Sequence, residues 1–343
     1  MTLYAQIFCT VNDLIADAQA PGVDDARMYQ AIREASDYVQ KEIGWFIPVT
    51  LVRSFNGHDK PSLFVPPLLA IDSIVNDDTA LTSENYILKP NDGFWPNGPY
   101  CQILVNPESP SLGVWICEEN AVQITGRWGK YERSAAIGAT VSDTTSQSDS
   151  QTTLKVSDGS KVSAGMVLLI GSEQELVTGF GAPTASVTLL NGAIAATDEV
   201  LTVDNGALVN VGEIIRVGFE QILIRDKNTH QCAVTRGWNG TSRVAHADDS
   251  AVDVYRTVNV ERGMNGTTAA AHLNGAAISR YFAPDDIQFL TKEIATLIVN
   301  KAKSGYQGRT GNQEMGVVFY HDAFPRQDIE RLKTAYFIPK ART

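Results

Sequence analysis

Positive charge is in short supply: 28 lysines and arginines face 39 aspartates and glutamates among 343 residues, for a net charge of −11. A protein that grips nucleic acid neutralises phosphates with a broad basic surface, so that class is excluded. The deficit is spread along the chain, since residues 135–281 hold 10 basic and 15 acidic side chains against 18 and 24 elsewhere. Cysteine is scarce as well. Cys9, Cys101, Cys117 and Cys232 lie far apart, with no CxxC pair and no histidine at metal-ligand spacing, which argues for buried free thiols rather than a disulfide framework or a zinc site. No apolar run approaches the ~20 residues of a membrane span. Residues 1–10 also lack the basic start and apolar stretch of a secretory leader, so the expectation is a soluble protein made in the cytoplasm, with no membrane partner.

Motifs that carry chemistry are missing too. GxSxG, HExxH, GxxxxGK[ST] and a DxDxDG calcium loop are all absent, and no nucleophile, base and orienting group can be assembled, so no enzyme, cofactor or metal is expected. The paired acids Asp24-Asp25, Asp77-Asp78, Glu118-Glu119, Asp248-Asp249 and Asp285-Asp286 read as helix ends and solvated loops, because adjacent side chains point apart. Trp95, Trp115, Trp128 and Tyr100 could form a binding platform but suit a core or subunit interface better.

What remains is a globular composition, 43% apolar and 20% charged, long enough for two or three domains. Residues 24–43 carry an apolar stripe at helical spacing (Met28/Tyr29, Ile32, Ala35/Ser36, Val39, Ile43) behind an acidic start, and a shorter helix is expected over 10–20. From Pro48 short β-rich runs take over (49–55, 62–65, 71–75, 86–88, 102–105, 121–125), which predict a small antiparallel sheet. Helical periodicity returns after Pro284 (Ile287, Leu290, Ile294, Leu297, Ile298) and again over 326–336. Residues 135–281 between them are rich in Thr, Val and Gly and read as β, opening with a polar tract, 140–153, expected to be a flexible loop or an exposed edge.

That β region repeats itself. Leu154-Lys-Val-Ser-Asp-Gly159 matches Leu201-Thr-Val-Asp-Asn-Gly206, and Gly171/Gly218, Glu173/Glu220 and Val177/Ile224 share the offset, 201 − 154 = 47. Arg236-Gly-Trp-Asn-Gly-Thr241 with His246 matches Arg262-Gly-Met-Asn-Gly-Thr267 with His272 at a different offset, 262 − 236 = 26. Two offsets exclude a simple tandem duplication. They fit a nested one, in which a module at 185–256 sits inside another made of 135–184 and 257–281. The pairs Asn239-Gly240 and Asn265-Gly266 suit tight turns with positive φ, and without a secretory leader that reading is preferred over glycan acceptors. His246 and His272 are then equivalent structural residues rather than ligands of one metal.

The remainder resembles the head-to-tail adaptor (connector) family of tailed bacteriophages. The likeness rests on Asp24-Asp25-Ala-Arg-Met-Tyr through Gly44, on Val52-Arg-Ser-Phe-Asn-Gly57 to Leu63-Phe-Val-Pro-Pro-Leu-Leu-Ala-Ile-Asp-Ser-Ile74, on Val122-Gln-Ile-Thr-Gly-Arg-Trp-Gly129, and on the helix opened by Pro284-Asp-Asp-Ile287. In that family the glycine turn leads directly to the proline, whereas here the β insert intervenes. The resemblance implies an α+β fold, a helical adaptor core (1–134 and 282–343) with a small antiparallel sheet, plus inserted all-β modules forming a small barrel or sandwich. It implies a virion neck protein: a ring, commonly of twelve subunits, that binds the portal above and a stopper or tail-terminator protein below, with DNA passing unbound through the lumen. The portal-docking candidates are Arg331, Lys333, Tyr336, Phe337, Ile338, Pro339, Lys340 and Arg342, an aromatic and basic tail on an acidic chain. A glycan- or surface-binding β-module protein of a virion is the competing expectation.

Overall fold

The computed structural model describes residues 4–18, 24–91, 98–109, 113–303, 309–312, 317–320 and 325–337. Among the described residues four α-helices stand beside twenty-two strands: α1 (Val11–Ala18), α2 (Asp25–Glu42), α3 (Asp285–Lys303) and α4 (Arg326–Ala335). The expected α+β layout, a helical core carrying a small sheet, is thereby overturned, because the protein is mostly β. Periodicity located the helices, but the short runs between Val49 and Trp128 join into a six-stranded antiparallel sheet with a core of its own. The runs at 62–65 and 71–75 are one strand, Ser62–Asn76. It absorbs Pro66 and Pro67 at a register shift between Phe64 and Leu68, where a missing N–H breaks no ladder bond.

Asp24 starts α2 by accepting a hydrogen bond from the Arg27 backbone N–H at 2.7 Å. The helix then buries Met28, Tyr29, Ala31, Ile32, Ala35, Ser36 and Val39. Their partners come from both ends of the chain: α1, Phe46 and Ile47 on one side, Ile287, Leu290, Ile294, Ile329 and Leu332 of α3 and α4 on the other. At roughly 1.5–3 kcal/mol for each large apolar side chain removed from water, this shared core welds the sequence-distant termini together. Lys130 adds a polar tie. Its ammonium donates to the carbonyls of Ile43 (2.6 Å) and Tyr336 (2.7 Å), capping the ends of α2 and α4 at once.

Two further six-stranded antiparallel sheets form the β region. We call host the sheet ordered Ser134–Thr140, Ala277–Tyr281, Val167–Ile170, Glu173–Phe180, Thr257–Glu261, Thr153–Lys155. The guest sheet runs Thr184–Leu189, Ala251–Val254, Ile214–Val217, Glu220–Asn228, Gln231–Thr235, Val200–Thr202. The order is the same strand for strand. Adding 47 carries Val167 to Ile214, and subtracting 26 carries Thr257 to Gln231. Bridges Val141–Val156 and Leu190–Val203 link the two edges of each sheet, curling it towards a small barrel. Host strands on either side of the guest pair directly, Val177 with Val260 and Phe180 with Val258. The host also contributes Ala164, Val167, Leu176 and Met264 to the helical core, whereas the guest core is separate.

Residues 140–153 form no flexible loop or bare edge. Ser146–Gln147 pairs with His272–Leu273, and the carbonyls of Ser148 and Gln151 are held by Arg262. The cysteines are free, but only Cys9 and Cys232 are buried; Cys117 is exposed and Cys101 half-buried, because the exposed backbone around Glu118 and Glu119 carries Cys117 outward.

Candidate functional site

The residues that the repeat aligns come together as one buried clasp in each barrel. In the guest, the fully buried Arg236 donates Nε and one terminal nitrogen to the two oxygens of Glu220, both at 2.7 Å. Its remaining N–H groups bond the carbonyls of Ala195 (2.9 Å), Asp198 (3.2 Å) and Val244 (2.6 Å). Glu220 accepts further from the N–H groups of Gly237 and Val244 and lies 2.9 Å from His246 Nε2. Burial alone would raise this carboxyl, but the bonds from Arg236, His246, Val244 and Gly237 outweigh it and bring the pKa down to about 2.

The host repeats the arrangement. Arg262 bonds both oxygens of Glu173 at 2.8 Å and the carbonyls of Ser148 (2.7 Å), Gln151 (2.9 Å) and Ala270 (2.6 Å). Gly263, Ala270 and His272 complete the Glu173 shell. The planar five-donor guanidinium suits this role, binding a carboxylate with two prongs while the others gather three loops. A buried ion pair with every donor and acceptor matched avoids the desolvation penalty that an unpaired charge would meet.

At one pair of matched buried positions the two barrels differ in polarity. The host places Glu175 and Gln147 where the guest has Ile222 and Ile194, and Gln147 Nε2 donates to Glu175 at 3.3 Å. Glu175 Oε1 accepts no hydrogen bond and sits 3.0 Å from Arg262 Nε and 3.5 Å from His272 Nε2. Burial dominates and lifts the Glu175 carboxyl to about 7, against the pull of Arg262. Glu173, Glu175 and His272 offer three ligand atoms within 4.8 Å of one another, the spacing a metal ion needs. Arg262, within 3.0 Å of both carboxylates, supplies positive charge at the same place.

The glycine-rich turns after each arginine act as docking points. Asn239 and Asn265 adopt left-handed backbone, φ 52° and 54°. The Asn265 side chain brackets one residue of the N-terminal segment, accepting from Ala5 N (2.7 Å) and donating to Ala5 O (3.2 Å), and also donates to Gln174 (2.8 Å). Gly266 lies so close to Thr50 O that a Cβ would stand 1.8 Å from it. In the guest, Asn239 donates to the matched Gln221 (2.8 Å) and to Asp25 of α2 (3.2 Å), while Gly240 faces open space. A further ion pair, Arg256 with Glu213, joins guest to host, since Glu213 also accepts from Gly159 N at 3.0 Å.

The docking candidates of the C-terminus that are described, Arg331, Lys333, Tyr336 and Phe337, stand in different surroundings. Tyr336 is turned inward, its hydroxyl donating to Asp286 (2.8 Å) and its ring edge-on to Phe46. Lys333 pairs with Glu42 and Glu330, and Arg331 with Asp328. Phe337 is exposed and lines a groove of about 960 Å³ between the first sheet and the end of α4, together with Leu69, Tyr100, Tyr131, Glu132 and Tyr336. Ile338, Pro339, Lys340 and Arg342 lie outside the described residues, as does Trp95. Trp115 and Trp128 are fully buried, and Trp128 donates to Leu51 O, so neither offers an exposed platform. Sequence reasoning missed the role of Glu173, Glu220, Arg236 and Arg262; the signal was present, because both offsets align a buried acid, an arginine and a histidine.

Comparison with protein-family models, with curated proteins and with solved structures finds no match to this chain.

Proposed function

We propose that the protein is a structural component of a tailed-phage virion, a head-to-tail adaptor whose copies form a ring between the portal and a stopper or tail protein, with DNA passing through the lumen. One observation supports the reading: segments from opposite ends of the sequence and the wall of the host barrel share one apolar core, and the buried ion pairs of the barrels hold loops together. A scaffold of that kind suits self-assembly, because head-to-tail contacts between rigid copies close into rings. The acidic balance of the chain favours a lumen from which phosphate is repelled. The portal-docking part falls to the end of α4, where Phe337 leaves the core exposed.

The test is the mass of the purified chain, alone and with a portal protein, read by native mass spectrometry and electron microscopy. A ring, or ring formation on adding portal, is the expected result. A chain that stays monomeric at every concentration and binds no portal overturns the reading.

A further inference from the structure

One face of the host barrel holds a segment of chain that belongs to no helix or strand, residues 5–10. Asn265 clamps both backbone groups of Ala5 at one end, and Val11 N–H donates to Ala164 O (3.0 Å) at the other. Between them Ala5, Phe8 and Cys9 pack with Val167, Leu176 and Met264 of the barrel. The repeat gives the guest the same face: Ile214, Leu223 and Trp238 match those three, and Gln221 and Asn239 match Gln174 and Asn265. There the face is open. Val211 is 47% exposed against 6% for the matched Ala164, and Gln221, Leu223, Trp238 and Asn239 are half-buried where their host counterparts are buried. A cleft of about 460 Å³ runs beside it, lined by Ile214, Gln221, Asn239 and Tyr255 and bounded by Phe180 of the host and by Asp24 and Asp25 at the start of α2. That size falls within the roughly 300–1,000 Å³ of ligand pockets. At the far end Ser160 stands 3.1 Å from where a Cβ on Gly212 would be, the place that Cys9 takes beside the matched Gly165, so the open part is the clamp end.

We propose that this cleft docks a non-helical segment of a partner protein, with a small residue clamped by Asn239 and a basic residue beside it facing Asp25. The occupied twin identifies the class of ligand. Asn265 bonds the N–H and the carbonyl of one residue, a recognition that reads backbone and asks only for a small side chain. Asn239 has the same left-handed backbone and donates to Gln221 at 2.8 Å as Asn265 does to Gln174, so its amide is held alike. Charge selects the neighbouring residue. Asp25 Oδ2 accepts from Asn239 at 3.2 Å, but Oδ1 is buried and accepts no hydrogen bond. Burial holds this carboxyl above its usual value, against the pull of Asn239. Among the described residues lining the cleft there is no cation. The arginines near Tyr255 and Trp238 are engaged elsewhere, Arg216 with Asp253 (2.6 Å) and Arg225 with Thr235 Oγ1 (2.8 Å). A lysine or arginine on the incoming segment supplies the missing donor and offsets the cost of the buried carboxylate. The chain's own residues 5–11 are held by the host face in every copy, which leaves a partner protein as the source of the segment. The proposal does not depend on ring formation.

The experiment titrates the full chain into two fluorescent peptides and reads anisotropy. One peptide copies residues 4–11 with Cys9→Ser to prevent oxidation, and the other carries Tyr4→Lys as well. The lysine peptide should bind about tenfold more tightly than the neutral one, and Asp25→Asn in the protein should narrow that ratio. Asn239→Ala should weaken binding of both peptides at least about tenfold. Hydrogen exchange of the parent chain with the lysine peptide should show new protection in residues 221–223 and 238–241. Failure of both peptides to bind at millimolar concentration overturns the proposal, as does binding that Asn239→Ala leaves unchanged. Protection confined to residues 164–176 also overturns it, because the peptide would then be replacing the chain's own segment on the host. Dimers that exchange their N-terminal segments, with protection of 221–223 lost on dilution, would make the occupant a second copy and reject a partner protein.

Discussion

The host and guest barrels share strand order, clasp and turn, yet the host is built more deeply into the rest of the molecule. Met264 of the host enters the helical core and Asn265 seizes the backbone of Ala5, whereas the matched Trp238 and Asn239 meet α2 through one side chain, Asp25. The difference teaches that the clasp is the folding unit and the turn above it is an adaptable attachment. One copy uses it to dock inward and the other leaves it mostly open. Exposed apolar side chains occur on both copies, Leu273 on the host and Phe219 and Val244 on the guest, with Phe219 the most exposed of them.

The sharpest way to break the comparison is to cut both clasps. Arg262→Leu strands the buried Glu173 and should cost about 3–5 kcal/mol; because the host wall belongs to the helical core, the whole chain should lose stability in a denaturant titration. Arg236→Leu strands Glu220 at a similar cost, but hydrogen exchange should rise only in residues 184–254. A uniform response to both would show that the barrels are not independent.

The second test exchanges the one polar difference. Glu175 ionises near its usual value of 4.5 when unfolded but at about 7 when folded. Between those values the folded chain holds one more proton, so stability falls as pH rises through this window and stays low above it. The groups facing Glu175 are Arg262, Glu173, His272 and Gln147. The double variant E175I/Q147I, which copies the guest, should raise stability at pH 8 by roughly 2–3 kcal/mol and flatten that part of the pH profile. A profile unchanged by the substitution would deny Glu175 this role.

A smaller contrast is expected at the turns. Asn265→Ala leaves Ala5 without its two bonds and should cost about 1–3 kcal/mol, while Asn239→Ala should cost roughly 0.5–1.5 kcal/mol, read as melting temperatures of the two variants. Least of all should follow from removing the guest. Thr184 pairs with Val254, so the guest's ends are adjacent, and replacing residues 184–254 by a Gly-Ser link should leave the remaining core melting within a few degrees of the parent. Collapse of the host on excision would mean that the inner barrel is needed by the outer one.

Much of this was legible before any coordinates. The stripe from Met28 to Val39 and the prolines at 284 and 325 mark three helices, because helix period and helix starts are local properties. The two offsets, 47 and 26, align strands and clasp residues alike, since duplicated barrels keep their spacing. The size of the first sheet escaped because short β runs do not announce their partners; Tyr86–Lys89 and Val49–Phe55 lie at opposite ends of one sheet. The polar tract at 140–153 misled because its residues are hydrophilic, while their order comes from an arginine more than a hundred residues away.

By itself, then, the sequence determined which segments are helical, where the copied barrels lie, and which acid, arginine and histidine correspond between them. All of these follow from periodicity and repetition along the chain. Only tertiary structure decided that Glu175 and Gln147 are buried beside an arginine, that Asn265 holds the N-terminal segment while Asn239 meets a helix end, and that Tyr336 turns inward while Phe337 stays out. Those outcomes depend on what packs against each residue, and burial and pairing are set by neighbours distant in the chain.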